Sequence, residues 1–141
     1  MSGTTISLFS RREFDFSQVR GGRCVEVMLI KAVDASQWTS GTLEVRIHDR
    51  GISGPGAAIC VLAYTTAPTA EDPAVDFVDT SRPVASVAID DSDERSPPAL
   101  ATATLTPGFG GMLAIVVRGQ QAPIPVETLS AELSASLTLK S

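Results

Sequence analysis

Histidine and cysteine, which commonly act as general bases, thiol nucleophiles and zinc ligands, are few in this chain. The only histidine is His48, and the only cysteines are Cys24 and Cys60. Triad catalysis needs a general base beside a nucleophile, and zinc needs several nitrogen, sulfur or carboxylate ligands. His48 falls on the polar face of a predicted strand, where the neighbouring Asp49 would point to the opposite face. We therefore interpret His48 as an ordinary surface residue and expect no catalytic residues.

Both cysteines lie in apolar, strand-like runs. A free cysteine behaves as a small hydrophobe, so we expect two buried thiols. A Cys24–Cys60 disulfide remains an alternative only if the two strands face each other at a suitable distance.

Acidic and glycine-rich segments were considered as ligand sites. Asp90–Glu94 offers the oxygen ligands that calcium prefers but lacks the EF-hand spacing, so we interpret it as a solvated loop, with a divalent cation as the alternative. Gly51–Gly56 and Gly108–Gly111 lack the Gly-Lys-Ser/Thr ending of a phosphate loop and are predicted turns. The spacing of the acidic residues also allows a pair of carboxylates for glycoside hydrolysis. Such sites normally lie in clefts lined by aromatic residues, and only 5% of the residues here are aromatic. We expect no cofactor and no metal.

The candidate interaction residues are four arginines and the single tryptophan. Arg11, Arg12, Arg20 and Arg23 make the N-terminal region basic, whereas residues 51–100 hold eight acidic residues against two arginines. This asymmetry would suit contact between copies or docking on other proteins, and an ordinary solvated surface is the alternative. Trp38 is either an exposed ring available to a ligand or a lid on the edge of the fold.

Length and charge limit the class of protein. The chain has 141 residues, 43% of them hydrophobic, which suits a single domain over residues 1–141. The net charge of -5 disfavours sequence-independent binding to nucleic acid or to anionic membranes. The first arginines follow the apolar residues of the N-terminus, so we expect no secretory signal. No apolar run approaches the roughly 20 residues that cross a bilayer.

The alternation of apolar and polar residues predicts β-strands along most of the chain. Between Leu129 and Leu139 every second residue is Leu or Ala, and the others are polar, which predicts a strand with one buried face. Ala58–Thr65 and Met112–Arg118 are continuously apolar, which predicts central strands buried on both faces. The remaining predicted strands are Thr4–Phe9 with its extension to Phe14 and Phe16, Cys24–Val33, Thr42–His48 after a Ser40-Gly41 turn, Val84–Ile89, and Ala99–Leu105.

Many short strands separated by Gly- and Pro-rich turns predict an all-β protein. The favoured architecture is an antiparallel β-sandwich or jelly roll of about eight strands, with a closed barrel as second choice. At most one short helix is expected, at Ala70–Val78.

Three features suggest a family: an arginine-containing N-terminal arm (Met1–Arg23), the Ala/Ser/Thr/Leu strand Leu129–Leu139, and the long polar loops Thr66–Pro83 and Asp90–Pro98. In these features the chain resembles the small β-sandwich accessory proteins of tailed-phage particles, which include decoration, head-completion and tail-associated proteins. The resemblance implies many copies on a shell or tube, contacts through the arm and loops, and no cofactor. Thr4–Phe9 is then a candidate for a strand exchanged with a neighbour.

The sequence therefore predicts a non-enzymatic structural protein of a large assembly. Its expected partners are protein subunits, in a homo-oligomer or a multi-copy lattice, with no nucleic acid and no membrane. Its expected location is the virion, or otherwise the cytoplasm. The alternative is a ligand-binding β-sandwich module for carbohydrate or protein, and an enzyme is the least favoured class.

Overall fold

Eight β-strands make up the regular secondary structure in the part of the chain that the structure, a computed structural model, describes: residues 3–16, 25–52, 57–66, 83–90, 98–106, 112–120 and 129–141. Each coincides with a segment that the sequence predicted to be extended. They are β1 (Gly3–Asp15), β2 (Val25–Asp34), β3 (Ser40–Ile52), β4 (Ala58–Thr66), β5 (Ala85–Asp90), β6 (Ala99–Thr104), β7 (Met112–Gln120) and β8 (Leu129–Lys140). These ranges contain no helix long and apolar enough to cross a membrane.

The strands form two antiparallel sheets of four. Sheet A has the order β1-β8-β3-β6, and sheet B has the order β2-β7-β4-β5. Four of the pairings are nested: β1 with β8, β2 with β7, β3 with β6, and β4 with β5. The chain therefore folds back on itself like one long hairpin that is divided between two sheets. The expected antiparallel β-sandwich is confirmed.

The inner face of β8 forms the centre of the core. The alternating residues Leu129, Ala131, Leu133, Ala135, Leu137 and Leu139 are all buried, as the period of two predicted. On the neighbouring β3, Leu43, Val45 and Ile47 are buried in the same way. Burying one such side chain contributes about 1.5–3 kcal/mol, so this pattern holds sheet A against sheet B.

Strands β4 and β7 are buried on both faces, as their continuous apolar runs predicted. One set of side chains belongs to the main core between the sheets, and it includes Ile59, Val61, Ile115 and Val117. The alternate residues form a second buried cluster: Ala58, Cys60, Leu62, Tyr64, Ala114 and Val116. Cys60 is a free, buried thiol, as expected. A free Cys60 argues against the alternative of a Cys24–Cys60 disulfide, and Cys24 itself lies outside the described residues.

Most of the predicted N-terminal arm belongs to the sandwich. Residues 3–15 form β1, which is hydrogen-bonded to β8 of the same chain, so Thr4–Phe9 is not exchanged with a neighbour in this structure. Leu8, Phe9, Phe14 and Phe16 are buried in the core. The rings of Phe9 and Phe14 meet edge to face with centroids 5.0 Å apart. The large aromatic area that these residues bury explains why the segment is anchored. Residues 17–24 lie outside the described part of the chain.

The turn between β2 and β3 begins earlier than predicted. It occupies residues 35–39, and Ser40 and Gly41 are the first residues of β3. Asp34 holds the turn because its Oδ1 accepts hydrogen bonds from the Ser36 amide (3.0 Å) and the Ser36 hydroxyl (2.7 Å). The backbone N–H of Trp38 donates to the carbonyl of Ala35 at 3.0 Å. The predicted helix at Ala70–Val78 and the loops around it lie outside the described residues.

The Asp34 turn predicts a pH dependence. The hydrogen bonds from the Ser36 hydroxyl and amide lower the pKa of Asp34. A carboxyl whose pKa is lowered by folding stabilises the fold above its unfolded pKa, and the effect disappears as the pH falls through the lowered value. We therefore expect Asp34→Ala to destabilise slightly at neutral pH and to have no effect in strong acid. Urea unfolding at several pH values measures this, and a pH-independent effect would contradict it.

Candidate interaction surface

The outer face of sheet A is polar and centred on β8. Its outward residues Ser130, Glu132, Ser134, Ser136 and Thr138 are half-buried between the neighbouring strands β1 and β3. Thr138 and Thr5 of β1 share a hydrogen bond between their hydroxyls at 3.1 Å. Because four of these five residues carry short hydroxyl side chains, β8 forms the floor of a shallow groove between β1 and β3. We call it the β8 groove.

Both walls of the β8 groove are irregular at the same level. In β1 the pairing with β8 shifts between Ser7 and Phe9 and again between Phe9 and Arg12. Within the second shift, Arg11 has a φ of 44°, in the left-handed region that few side-chain-bearing residues adopt. In β3 the pairing with β8 shifts between Ile47 and Asp49. Bulges of this kind re-aim side chains and are frequent beside functional sites.

The two bulges are tied together by hydrogen bonds across β8. Arg11 donates from Nε and Nη2 to Glu132 Oε1 at 3.0 and 2.9 Å. The backbone N–H of Arg11 donates to Ser134 Oγ at 2.8 Å. Ser134 Oγ also shares a hydrogen bond of 2.7 Å with His48 Nε2. These contacts join β1, β8 and β3 in one network, which forms a bridge across the groove.

The bridge separates two depressions of about 190 Å³ each. The first lies over Ser130–Glu132, with Glu13 on the β1 side and Asp49 and Arg50 on the β3 side, so carboxylates outnumber the one arginine that lines it. The second lies over Ser134–Ser136 and extends to Arg46 and Leu100. The groove is therefore acidic at one end and partly apolar at the other.

The acidic end contains a row of carboxylates. Glu13 and Asp49 are both register partners of Glu132, so three acidic residues lie side by side on three strands. Like charges in such positions repel, and Arg11 offsets this by pairing with Glu132. No group of three His, Cys, Asp or Glu among the described residues is placed to hold a metal ion. Asp90 ends β5, and residues 91–94 lie outside the description, so the predicted acidic loop stays untested as a cation site.

His48 is more than the ordinary surface residue that the sequence predicted. It is half-buried and hydrogen-bonded because the β3 bulge directs it toward Ser134. Asp49 lines the groove instead of facing away from it, because the register shift makes β3 irregular at this point. Asp49 Oδ1 accepts from the backbone of Arg50, at 2.8 Å. Among the described residues no carboxylate is recorded on His48, so these side chains assemble no Ser-His-Asp triad.

The predicted basic cluster is divided by the fold. Arg11 lies on the outer face of sheet A, whereas the Arg12 guanidinium lies 5.1 Å from the centroid of the Phe14 ring. Arg12 Nη2 also donates to Met28 Sδ on β2 at 3.3 Å, so this side chain spans the edge of the sandwich between the two sheets. Arg20 and Arg23 lie outside the described residues. Trp38 is half-buried against the core, which matches the lid alternative rather than an exposed platform.

The conformation of Arg11 leads to a test of the bridge. Arg11→Ala removes an ion pair between side chains that are 69% and 33% exposed, worth about 0–1 kcal/mol. Arg11→Gly removes the same pair but also relieves the positive φ, which costs a residue with a side chain about 1–2 kcal/mol. We expect the Gly variant to be the more stable of the two by about 1 kcal/mol in urea unfolding. A Gly variant less stable than the Ala variant would contradict the bulge geometry.

Comparison with known proteins identifies a shared fold only. No protein-family model matches the chain, and no curated protein matches it in sequence. A chain in the structure of infectious bursal disease virus, Gx strain, matches with a TM-score of 0.54 and 13% identity, over 98% of this chain and 31% of the viral chain. A chain in the infectious bursal disease virus VP2 subviral particle matches with a TM-score of 0.52 and 15% identity, over 98% and 32%.

A third solved structure is more distant. It is the K1 cleaved adhesin domain of Lys-gingipain from Porphyromonas gingivalis W83, with a TM-score of 0.45 and 11% identity over 100% of this chain and 99% of that domain.

This chain spans about a third of the length of the two viral chains. At these identities the likeness to the viral chains shows a common β-sandwich fold.

Proposed function

We propose that this protein is a non-enzymatic structural subunit of a large multi-copy particle, most simply a virion. One observation carries the proposal: 98% of the chain superposes on part of chains from an infectious virus and from a subviral particle. The nested pairing of β1 with β8 through β4 with β5 supports it, because we interpret that winding as a jelly roll, an architecture common among capsid domains.

The side chains of the β8 groove favour a structural role over catalysis. The one described Ser-His pair, Ser134 and His48, is fixed between two strands by the Arg11 amide. A nucleophile needs a free approach and a base oriented by a third group. The network instead holds three strands in register, as a rigid subunit requires.

An accessory or decoration role in a tailed-phage particle is the finer form of the proposal. It rests on the resemblance of the arm, the loops and the C-terminal strand. Since β1 is part of the core, contact with the particle would use the faces and edges of the two sheets. We therefore propose protein subunits as partners.

Gradient sedimentation of the protein from its native source, with mass spectrometry of every fraction, tests this proposal. A subunit migrates with a particle in fixed stoichiometry, and electron microscopy of that fraction then shows the surface it occupies. A protein found only in the light fractions, as a free chain of 14.7 kDa or a small oligomer, would refute the proposal. A glycan and peptide screen of the β8 groove would then address the alternative of a ligand-binding module.

A further inference from the structure

The sandwich has four edge strands, and they differ in how well they are protected. Strands β1 and β6 border sheet A, and β2 and β5 border sheet B. An edge presents unpaired backbone N–H and C=O groups, so a strand of another chain can add to it. Soluble proteins oppose this with charged side chains, proline or bulges on the edge. The presence or absence of these devices therefore indicates which edge is open to pairing.

Three of the edges are protected. Strand β1 has two register shifts and carries Arg11 and Arg12. Strand β2 has a shift between Leu29 and Lys31, and Lys31 is exposed. Strand β5 is bordered at each end by a hydrogen bond to another part of the chain.

The contacts at the two ends of β5 are specific. Before the strand, the Val84 carbonyl accepts the N–H of Thr106 at 2.8 Å. At its last residue, the Asp90 carbonyl accepts Arg50 Nη1 at 3.4 Å. A new strand could not extend past either end without breaking a contact, so β5 is a poor template.

Strand β6 carries no charge, proline or register shift, and the hydrogen bond between Thr106 and Val84 lies beyond its last residue, outside residues 99–104. Its sequence is Ala-Leu-Ala-Thr-Ala-Thr, without charge or proline, and its pairing with β3 runs unbroken from Ala99 to Thr104. Leu100 on this strand is 51% exposed, and it is the one exposed large hydrophobic side chain in the part of the chain that the structure describes. The edge of β6 therefore combines a regular backbone, small side chains and an uncovered apolar residue.

We propose that β6 pairs with β6 of a second copy of this chain, antiparallel about a two-fold axis. A strand that adds along β6 must itself be regular and uncharged, and β6 is the described edge of this chain that meets both conditions. A two-fold axis makes the contact self-complementary and closed. The two copies of sheet A would then form one continuous sheet of eight strands. The inference goes beyond the proposed function and does not depend on it.

One register makes this pairing uncharged throughout. With Ala101 on the axis, Ala99 lies opposite Ala103 of the second copy, and Leu100 lies opposite Thr102. The two Leu100 side chains are then diagonal neighbours on the outer face, a separation of roughly 7–8 Å that leucines can bridge. No like charges meet, and Leu100 loses its exposure to water. Because six residues per copy bury little surface, we expect a dissociation constant in roughly the micromolar range or weaker.

A lysine on the edge tests the pairing in purified protein. Thr102 is exposed and faces away from the core, so Thr102→Lys leaves the fold intact but places a charge opposite the partner's Leu100. We expect light scattering and sedimentation equilibrium to give twice 14.7 kDa for the unmodified chain at high concentration and 14.7 kDa for the variant. We expect at least a tenfold weaker self-association.

Ser7→Lys is the matched control, because Ser7 is also exposed on the outer face of sheet A but lies on β1 at the opposite edge. It should dimerise like the unmodified chain. Circular dichroism verifies folding, and Thr104→Lys replaces Thr102→Lys if the latter is unfolded. A chain that stays monomeric at all soluble concentrations, or an oligomer that the β6 lysine leaves intact, overturns the inference.

Hydrogen exchange gives an independent readout. Amides of residues 99–104 should become more protected as protein concentration rises, whereas those of residues 3–7 on β1 should not change. Concentration-dependent protection confined to another edge would also overturn the inference. The measurement uses no particle, so its failure is distinguishable from failure of the proposed function.

Discussion

Replacing Leu133 with Asp is expected to leave the chain unfolded at neutral pH. Leu133 is fully buried at the centre of β8, between β1 and β3. Losing its side chain alone costs about 2–5 kcal/mol, and a carboxylate placed there without a partner adds the cost of burying a charge. Together these effects are comparable with the total stability of a domain, about 5–15 kcal/mol. Circular dichroism and urea unfolding would show the loss.

Ser136→Asp is the matched control for this experiment. Ser136 lies three residues further along the same strand, but its side chain is on the outer face and half-buried. The same new carboxylate there lies opposite Glu44 on β3, and this cross-strand repulsion on a half-buried surface should cost only about 1 kcal/mol, so the variant should stay folded. A folded, stable Leu133→Asp protein would show that the assignment of the two faces of β8 is wrong.

Replacing Gly119 with Ala is expected to destabilise the protein by about 1–3 kcal/mol or more. A Cβ at Gly119 would lie 2.3 Å from Cγ of Phe16, and the Phe16 ring is buried. Since neither β7 nor the buried ring has room to move, the added methyl overpacks the core. The effect is measurable as a lower urea midpoint.

A double-mutant cycle identifies the cause. Phe16→Ala removes Cγ and Cδ2, the ring atoms that the new methyl would meet at 2.3 and 2.6 Å, so Gly119→Ala should cost much less in that background. Gly51→Ala on β3 is a suitable comparison, because a Cβ there lies 3.3 Å from the Ser130 hydroxyl, which can shift. Equal costs of Gly119→Ala with and without the Phe16 ring would show that the contact is not responsible.

Periodicity was sufficient to locate the strands. The alternation from Leu129 to Leu139 predicts both the extent of β8 and its buried face, because successive side chains of a strand point to opposite faces. The continuous runs of β4 and β7 likewise predict burial on both faces. Length and hydrophobic content make a two-layer fold the expected way to bury these faces.

The pairing of strands and the candidate surface were not predictable from the sequence. An alternating hydrophobic pattern shows which side of a strand is apolar, but it does not show which strand lies beside it. The order of strands within each sheet is therefore known only from the structure. No feature of the local sequence indicates the bulges at Arg11 and His48, and these bulges determine the geometry of the β8 groove. They direct His48 toward Ser134 and separate Arg11 from Arg12, so the two described arginines of the predicted basic cluster make unrelated contacts.

The nested pairing also determines the order in which the molecule can form. The strands closest in sequence among the nested pairs are β4 and β5, whereas Gly3 pairs with Lys140, the two ends of the described chain. During synthesis β1 emerges first but has no partner until β8 has been made. Folding of such long-range pairings is slow, on the order of milliseconds to seconds. The apolar residues of β1 therefore lack their β8 partner while the intervening strands are made, and apolar surface exposed in this way makes a folding chain prone to aggregation.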